Sequence, residues 1–151
     1  MIQNGLVVPG VSVKLAFGIN YSDIIMHDIN IPDVVAEVTD AFMRYEAALG
    51  GNDLDVIDSL FWDNALTLRY GPNGTLLSHK AISDFRRARD ITGVERTLQN
   101  TLITTYGRDF ATANTESTRP GSDAIGRQSQ TWMRTSEGWK IVSAHVSDFP
   151  G

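Results

Sequence analysis

The fold is decided by residues 104–132, TTYGRDFATANTESTRPGSDAIGRQSQTW, and by their continuation over 133–147, MRTSEGWKIVSAHVS. Apolar and polar residues alternate through this stretch, and short turns containing Gly or Pro interrupt it. The pattern predicts antiparallel strands near residues 95–106, 109–118, 124–135 and 138–148. Polar side chains are frequent in these strands, and a dry sheet interior would leave each unpaired at a cost of about 1–3 kcal/mol. We therefore expect one face of the sheet to line a ligand cavity or to meet a second subunit.

A long amphipathic helix is predicted from Pro32. Proline is favoured at the first helical position, and Asp33 suits the positive end of the helix dipole. Gly50 and Gly51 are expected to end the helix. Apolar residues recur between these limits at helical spacing: Val35, Val38, Phe42, Tyr45 and Leu49.

Two shorter helices are predicted after the first. Asp53 can cap a second helix, and Ser78 can cap a third. Residues 65–70 alternate and are expected to form a strand, and the sequence Pro-Asn-Gly over 72–74 signals a turn. Helices followed by an antiparallel meander predict an α+β protein, with three N-terminal helices packed on one face of a curved antiparallel sheet.

Composition excludes several classes of function. The 151 residues suffice for one domain. A net charge of -5 gives no electrostatic support for nucleic-acid binding. The chain has no cysteine, so disulfides, thiolate nucleophiles and zinc–thiolate sites are excluded. No apolar run approaches the roughly 20 residues that cross a bilayer, and we expect a cytoplasmic protein.

Residues 1–30 differ from the rest of the chain, because their apolar residues follow no sustained period. We expect them to form an N-terminal extension, a flexible arm, with Met26 as the original start. The single folded domain is expected over 31–148.

Familiar catalytic motifs are absent. The three histidines, His27, His79 and His145, do not have metal-binding spacing, and no nucleophile elbow or phosphate-binding glycine loop occurs. We expect neither a metal nor a cofactor. An enzyme with this sequence would use acid–base and electrostatic groups in a cavity.

Tyr45 and Arg69 are the candidate catalytic pair, although each has a structural alternative. Tyr45 either fills the core or places its hydroxyl in a cavity, where it would need a nearby cation to act as a base. Strict alternation puts Leu68 and Tyr70 on one face of their strand and would expose Arg69. If Arg69 instead lines the concave face, its buried guanidinium needs an anionic partner such as a substrate carboxylate.

Further candidates lie on the third helix and in the meander. Arg86 either joins a solvated face or reaches over the cavity as a second carboxylate clamp. Gln128 and Gln130 share a face with Trp132, and we favour Gln130 as the cavity residue; Arg127 is assigned to an interface or the surface. Alternation places His145 on the face of Trp139 and Ile141, either as a core residue or as a proton carrier. The candidate substrate-binding set is Phe42, Arg86, Gln130, Trp132 and His145.

Several strings resemble those of the AtzH-like proteins, which include the oxalurate-catabolism proteins: FxxYE from Phe42, LFW from Leu60, LRYG from Leu68, FRxxR from Phe85, YGRDFATA, GRQSQTW and AHVS. The resemblance starts near residue 26 and ends near residue 147. It implies the nuclear transport factor 2-like (SnoaL-like) superfamily, with its cone-shaped, cystatin-like arrangement of helices on a sheet.

The resemblance also implies a function. An AtzH-like protein would be a decarboxylating amidohydrolase acting on a carboxylated urea, with Tyr45 and Arg69 at the reacting centre. The superfamily also contains binding proteins and dimerisation modules, so a non-catalytic partner of an amidase stays open. The expected partners are a small anionic substrate, a second copy of the chain docked through the sheet, and an amidase.

Overall fold

The computed structural model describes residues 28–89 and 95–150. The predicted N-terminal arm therefore lies outside the described residues except for its last three. Asp28, Ile29 and Asn30 run beside the sheet edge, where the Asn30 amide donates to the Thr105 carbonyl at 3.1 Å and its side chain accepts from the Thr105 amide at 3.0 Å.

The described residues form nine elements in the order α1, α2, β1, β2, α3 and then the strands β3 to β6. Their bounds are α1 Pro32–Gly51, α2 Leu54–Leu60, β1 Leu68–Gly71, β2 Gly74–Leu77, α3 His79–Arg87, β3 Thr97–Tyr106, β4 Phe110–Thr118, β5 Ile125–Thr135 and β6 Gly138–Phe149.

Local sequence explains where the helices begin and end. The Asp53 carboxylate accepts from the Val56 amide at 3.1 Å, and the Ser78 hydroxyl accepts from the Ala81 amide at 3.2 Å, so both predicted caps are confirmed. The first helix runs through Gly50 and Gly51 and ends at Asn52, which takes the left-handed conformation with φ of 54°. Asparagine tolerates that conformation and therefore replaces the expected glycine cap.

The six strands form one sheet in the order β2-β1-β6-β5-β4-β3, and the α+β class is confirmed. All neighbours are antiparallel except β1 and β6, which run parallel, so the expectation of a wholly antiparallel sheet is wrong at this pair. The chain connection explains this pair. β1 and β2 form a hairpin that precedes α3 and the meander of β3 to β6, and β1 pairs with β6, the last strand of that meander.

The inner face of the sheet changes character along its strands. At one end, Ala111, Trp132 and Ile141 lie side by side in register, and all belong to the buried hydrophobic core. At the other end, the buried inner residues are Thr115, Ser117 and Gln128. The apolar end makes the core, and the polar end is left to line a cavity.

A β-bulge sets which residues of β6 face inward. Thr131 pairs with Ser143, but the next residue, Trp132, pairs with Ile141, which leaves Val142 as an extra residue. The bulge reverses the alternation of β6 beyond this point.

Candidate functional site

A cavity of about 380 Å³ opens at the polar end of the sheet, between the C-terminal half of α1, the start of α2, β1 and the end of α3. Apolar side chains from α1, α2 and β6 form part of its wall: Leu49, Leu54, Ile57 and Val146. Five arginines also line it: Arg69, Arg86, Arg89, Arg96 and Arg119. The chain as a whole is acidic, so this concentration of guanidinium groups makes the cavity locally cationic.

Tyr45 and Arg86 meet at the cavity wall. Tyr45 is 3% exposed, and its ring packs edge-on against Phe61 with centroids 6.2 Å apart. Arg86 Nη2 donates to the phenolic oxygen at 3.2 Å, and the guanidinium lies 5.5 Å from the centroid of the Phe61 ring. Tyr45 thus belongs to the core through its ring and to the cavity through its hydroxyl, and Arg86 supplies the neighbouring cation.

Arg86 and Arg87 show that α3 has two different faces. Arg87 donates to Asp55 at 2.9 Å and to Asp58 at 2.8 Å, outside the cavity. Hydrogen bonds from Arg87 to both carboxylates raise the pKa of that guanidinium. Arg87 therefore lies on the solvated face predicted for α3, whereas Arg86 lies on the face that lines the cavity.

Arg69 turns inward from β1, beside Ala144 of β6. Tyr70, the next residue on the strand, is exposed, as is Leu66, two residues before β1, so strict hydrophobic alternation gives the wrong face. Burial lowers the pKa of Arg69, and the positive charges of Arg86 and Arg89 lower it further. Within 28–89 and 95–150, no carboxylate pairs with Arg69 or Arg86, so both cations remain unneutralised by these residues.

Phe85 and Gly71 shape the space around Arg69. The Phe85 ring lies 5.7 Å from the Arg69 guanidinium and 5.1 Å from that of Arg89, as centroid distances. A Cβ at Gly71 would lie 2.9 Å from Nη1 of Arg69, so the absence of a side chain leaves room for the guanidinium.

Arg96, Glu46 and Gln128 form a closed polar cluster in the wall. Arg96 forms an ion pair with Glu46, and each of these side chains is 9% exposed. Gln128 Nε2 donates to Glu46 at 3.0 Å, and Arg96 donates to Gln128 Oε1 at 3.4 Å. Arg96 and Gln128 are not among the site residues expected from the sequence. Their partner Glu46 is 50 positions from Arg96 and 82 from Gln128, a separation that no local pattern reveals.

Three of the predicted substrate-binding residues do not line the cavity because they are buried in or beside the hydrophobic core. Phe42 and Trp132 are buried in the hydrophobic core. Gln130 accepts from Trp132 Nε1 at 3.1 Å and is buried beside it. Gln128, two residues nearer the polar end, takes the cavity position assigned to Gln130.

His145 is placed on the other face of the sheet. The Val142 bulge puts Ala144 inside and His145 outside, where its ring packs edge-on against exposed Tyr70 with centroids 6.1 Å apart. The expectation that His145 shares a face with Trp139 and Ile141 is wrong, because one extra residue separates them in register.

Two negative findings apply to the described part of the chain. It contains no group of three His, Asp or Glu side chains that could hold a metal ion. None of its helices is long and apolar enough to cross a membrane.

Fold and site together define a small α+β protein of the nuclear transport factor 2-like, cystatin-like class, with a cationic cavity between its helices and its sheet. Within that class, the chain belongs to the AtzH-like family, whose sequence model matches residues 27–150.

Solved structures agree with this assignment. The chain is 55% identical to a protein of unknown function from Pectobacterium atrosepticum, with a TM-score of 0.79 over 81% of this chain and 95% of that one. It is 42% identical to a cystatin-like fold protein from Burkholderia xenovorans, with a TM-score of 0.79 over 83% of this chain and 98% of that one. A nuclear transport factor 2-like superfamily protein from Salmonella enterica shares the fold at 24% identity, with a TM-score of 0.64 over 79% and 92% of the two chains. A search of curated proteins finds no significant match.

Proposed function

We propose that this protein is a small-molecule amidohydrolase of the AtzH-like type, which hydrolyses a carboxylated urea or a related acyl-urea in its cavity. The observation that carries the proposal is the meeting of the Tyr45 phenol with the guanidinium groups of Arg86 and Arg69 in one cavity. A phenol beside two cations can serve both a proton transfer and the binding of an anion.

Substrate binding would begin at Arg69. Burial and two neighbouring cations disfavour its charge, as its lowered pKa indicates. A carboxylate would offset that cost and can accept two parallel hydrogen bonds from one guanidinium. Family membership supports a carboxylated urea as the source of this carboxylate.

Tyr45 would then move the proton that hydrolysis requires. Water adds its oxygen to the urea carbonyl, and the phenol exchanges a proton with that water and the leaving nitrogen as the carbon–nitrogen bond breaks. Arg86, which donates to the phenolic oxygen at 3.2 Å, would stabilise negative charge on it during the transfer. For 1,3-dicarboxyurea, one water gives two carbamate fragments, and their decarboxylation yields two ammonia and three carbon dioxide molecules in total.

The test compares matched pairs of variants. Ammonia and all other products from 1,3-dicarboxyurea and from oxalurate are measured for the wild type, Tyr45→Phe and Arg69→Ala. The controls are Tyr70→Phe and Arg127→Ala, since both residues lie on the exposed outer face. We expect the two cavity variants to lose activity about 100-fold or more and the two controls to retain it. Equal rates in all five proteins would reject the proposal.

A second function, binding without catalysis, is supported by the same unneutralised arginines, since an anion site needs no chemistry to hold a ligand. In that case the purified protein would bind carboxylates but release no product, and activity would appear only when an amidase co-purifies with it. Gel filtration of native lysate, followed by the same product assay on each fraction, separates the two functions.

A homodimer through the outer face of the sheet is a further part of the proposal. That face carries exposed apolar side chains at Leu102, Tyr106 and Phe110. Exposed apolar area of this kind favours association. Light scattering of the wild type and of Phe110→Asp tests it: we expect a dimer that the charge weakens, and a monomeric wild type would contradict it.

A further inference from the structure

Arg119 and Arg69 lie at different places on the cavity wall. Arg119 directly follows β4. The last inward-facing residue of β4, Ser117, pairs with Gly126 of β5, which in turn pairs with Asp148 of β6. Arg69 lies beside Ala144, four residues earlier on β6. At about 3.3 Å per residue, the Arg69 and Asp148 positions are separated by roughly 13 Å along the strand direction. The cavity therefore has cationic groups at two separate places on its wall.

Arg119 is also incompletely paired. Its nearest carboxylate is that of Asp148, with Nη1 3.7 Å from Oδ1, which is too long for a hydrogen bond. Its Nε is buried and has no hydrogen-bond partner within the described residues. Arg96 provides the contrast, because Glu46 and Gln128 satisfy it. Arg119 thus retains donors for a ligand.

Asp148 is the one carboxylate among the described residues that line the cavity, and its place is set by its neighbours. A Cβ at Gly126 would lie 3.3 Å from Oδ1 of Asp148 and 2.7 Å from the Ser117 hydroxyl, so glycine leaves room for both side chains in their present positions. From there Asp148 neutralises Arg119 at a distance without using its donors. The Arg119 side chain is 40% exposed, so a ligand carboxylate could approach its two Nη groups together, which is a bidentate geometry that Asp148 does not achieve.

We propose that Arg119 recognises a second carboxylate and so makes the cavity selective for dicarboxylates over monocarboxylates, with Asp148 as the internal competitor for that arginine. The inference rests on the proposed function, because it uses the same cavity and assigns the first carboxylate to Arg69. It adds a residue that determines specificity and takes no part in the proton transfer.

The experiment measures binding, so that its result is independent of hydrolysis. Dissociation constants for acetate, malonate, succinate and glutarate are determined by calorimetry at low ionic strength for the wild type, Arg119→Gln and Asp148→Asn. Arg69→Ala removes the arginine that is proposed to bind the first carboxylate. Arg127→Gln, on the outer face, serves as the control for lost positive charge.

We expect the wild type to bind its best dicarboxylate at least about tenfold more tightly than acetate. Arg119→Gln should remove that preference and leave acetate binding unchanged, whereas Arg69→Ala should weaken both ligands. Asp148→Asn should tighten dicarboxylate binding, because the competing carboxylate is gone. Arg127→Gln should match the wild type.

Other results would overturn the inference. If the Arg119→Gln variant keeps the dicarboxylate preference, Arg119 does not bind the second carboxylate. The proposal of hydrolysis would stand in that case. Selective binding that depends on Arg119, without any product formation, would leave the inference standing and reject the hydrolase. A wild type that binds none of the four acids would reject the inference, and the product assay with 1,3-dicarboxyurea would decide the proposed hydrolysis separately.

Discussion

Gly71 and Arg69 are joined by a steric relationship: a Cβ at Gly71 would lie 2.9 Å from Nη1 and 3.3 Å from Cζ of the Arg69 guanidinium. The position of this cation therefore depends on a residue without a side chain two positions along β1. The contact would fall on the end of a flexible side chain, so a substitution there should move the arginine and leave the strand in place.

Gly71→Ala should accordingly weaken ligand binding without unfolding the protein. We expect about a tenfold weaker dissociation constant for malonate, which corresponds to one impaired charge-assisted contact. Calorimetry measures the binding, and thermal unfolding checks the fold. Gly50→Ala is the matched control, because nothing lies within 4 Å of a Cβ there. Unchanged malonate binding by Gly71→Ala would show that Arg69 does not need this space.

Glu46→Gln should destabilise the protein strongly. The change removes one partner of a buried ion pair and leaves Arg96 without its carboxylate. Breaking such a pair costs about 3–5 kcal/mol in the free energy of unfolding. Urea unfolding at pH 7 measures the loss. Glu116→Gln is the control, since its partner Arg127 is more than half exposed, and it should have a much smaller effect. Similar losses in the two variants would contradict the importance of the buried cluster.

Arg69→Met should stabilise the empty protein and abolish its binding of carboxylates. The pKa of Arg69 is lowered by burial and by the charges of Arg86 and Arg89, so its protonated form is disfavoured by folding. That cost is present at every pH below the folded pKa, including pH 7, and would be relieved only above it. We expect a higher Tm for Arg69→Met than for the wild type, and no rise for Arg127→Met. A lower Tm would mean that the cation contributes favourable contacts in the empty cavity.

Glu37 should make a stabilising contribution that acid removes. Hydrogen bonds from Trp139 and from Arg134 hold the pKa of Glu37 below its ordinary value of about 4.3. A carboxyl whose folded pKa is lowered stabilises the protein above its unfolded pKa and loses that contribution as the pH falls through the folded pKa.

The measurement follows from that sign. The Tm difference between the wild type and Glu37→Gln should be constant from pH 7 to about pH 5.5 and should shrink below about pH 4.3. Asp33→Asn tests for a general effect of removing a negative charge from α1, because Asp33 is exposed in the first turn of the helix. A Glu37→Gln difference that grows on acidification would contradict the lowered pKa.

The fold was predictable from this sequence where its determinants are local. The helix caps at Asp53 and Ser78 and the strands of the meander follow from residues within a few positions of one another. The helical period of α1 predicts that the Tyr45 ring faces inward. Arg86 could be named as a candidate because it lies in the last turn of the predicted third helix, but the sequence left open whether it faces solvent or the cavity.

The rest of the site depends on relationships that no short window contains. Arg96 and Arg119 lie outside any periodic pattern, and their cavity positions come from strand pairing. The error at His145 has a single cause, the extra residue at Val142, which strict alternation does not anticipate. Gln130 was preferred over Gln128 because alternation gives the face of a residue but not its distance from the polar end of the sheet.

The bulge at Val142 also divides β6 into two segments whose inward-facing residues lie in different surroundings. Before it, Trp139 and Ile141 fill the interior; after it, Val146 and Asp148 reach the cavity. Replacements at 146 and 148 can therefore adjust what the cavity accepts while the packing at 139 and 141 stays as it is. One irregular residue in one strand gives this scaffold a route to new ligand preferences that does not threaten its ability to fold.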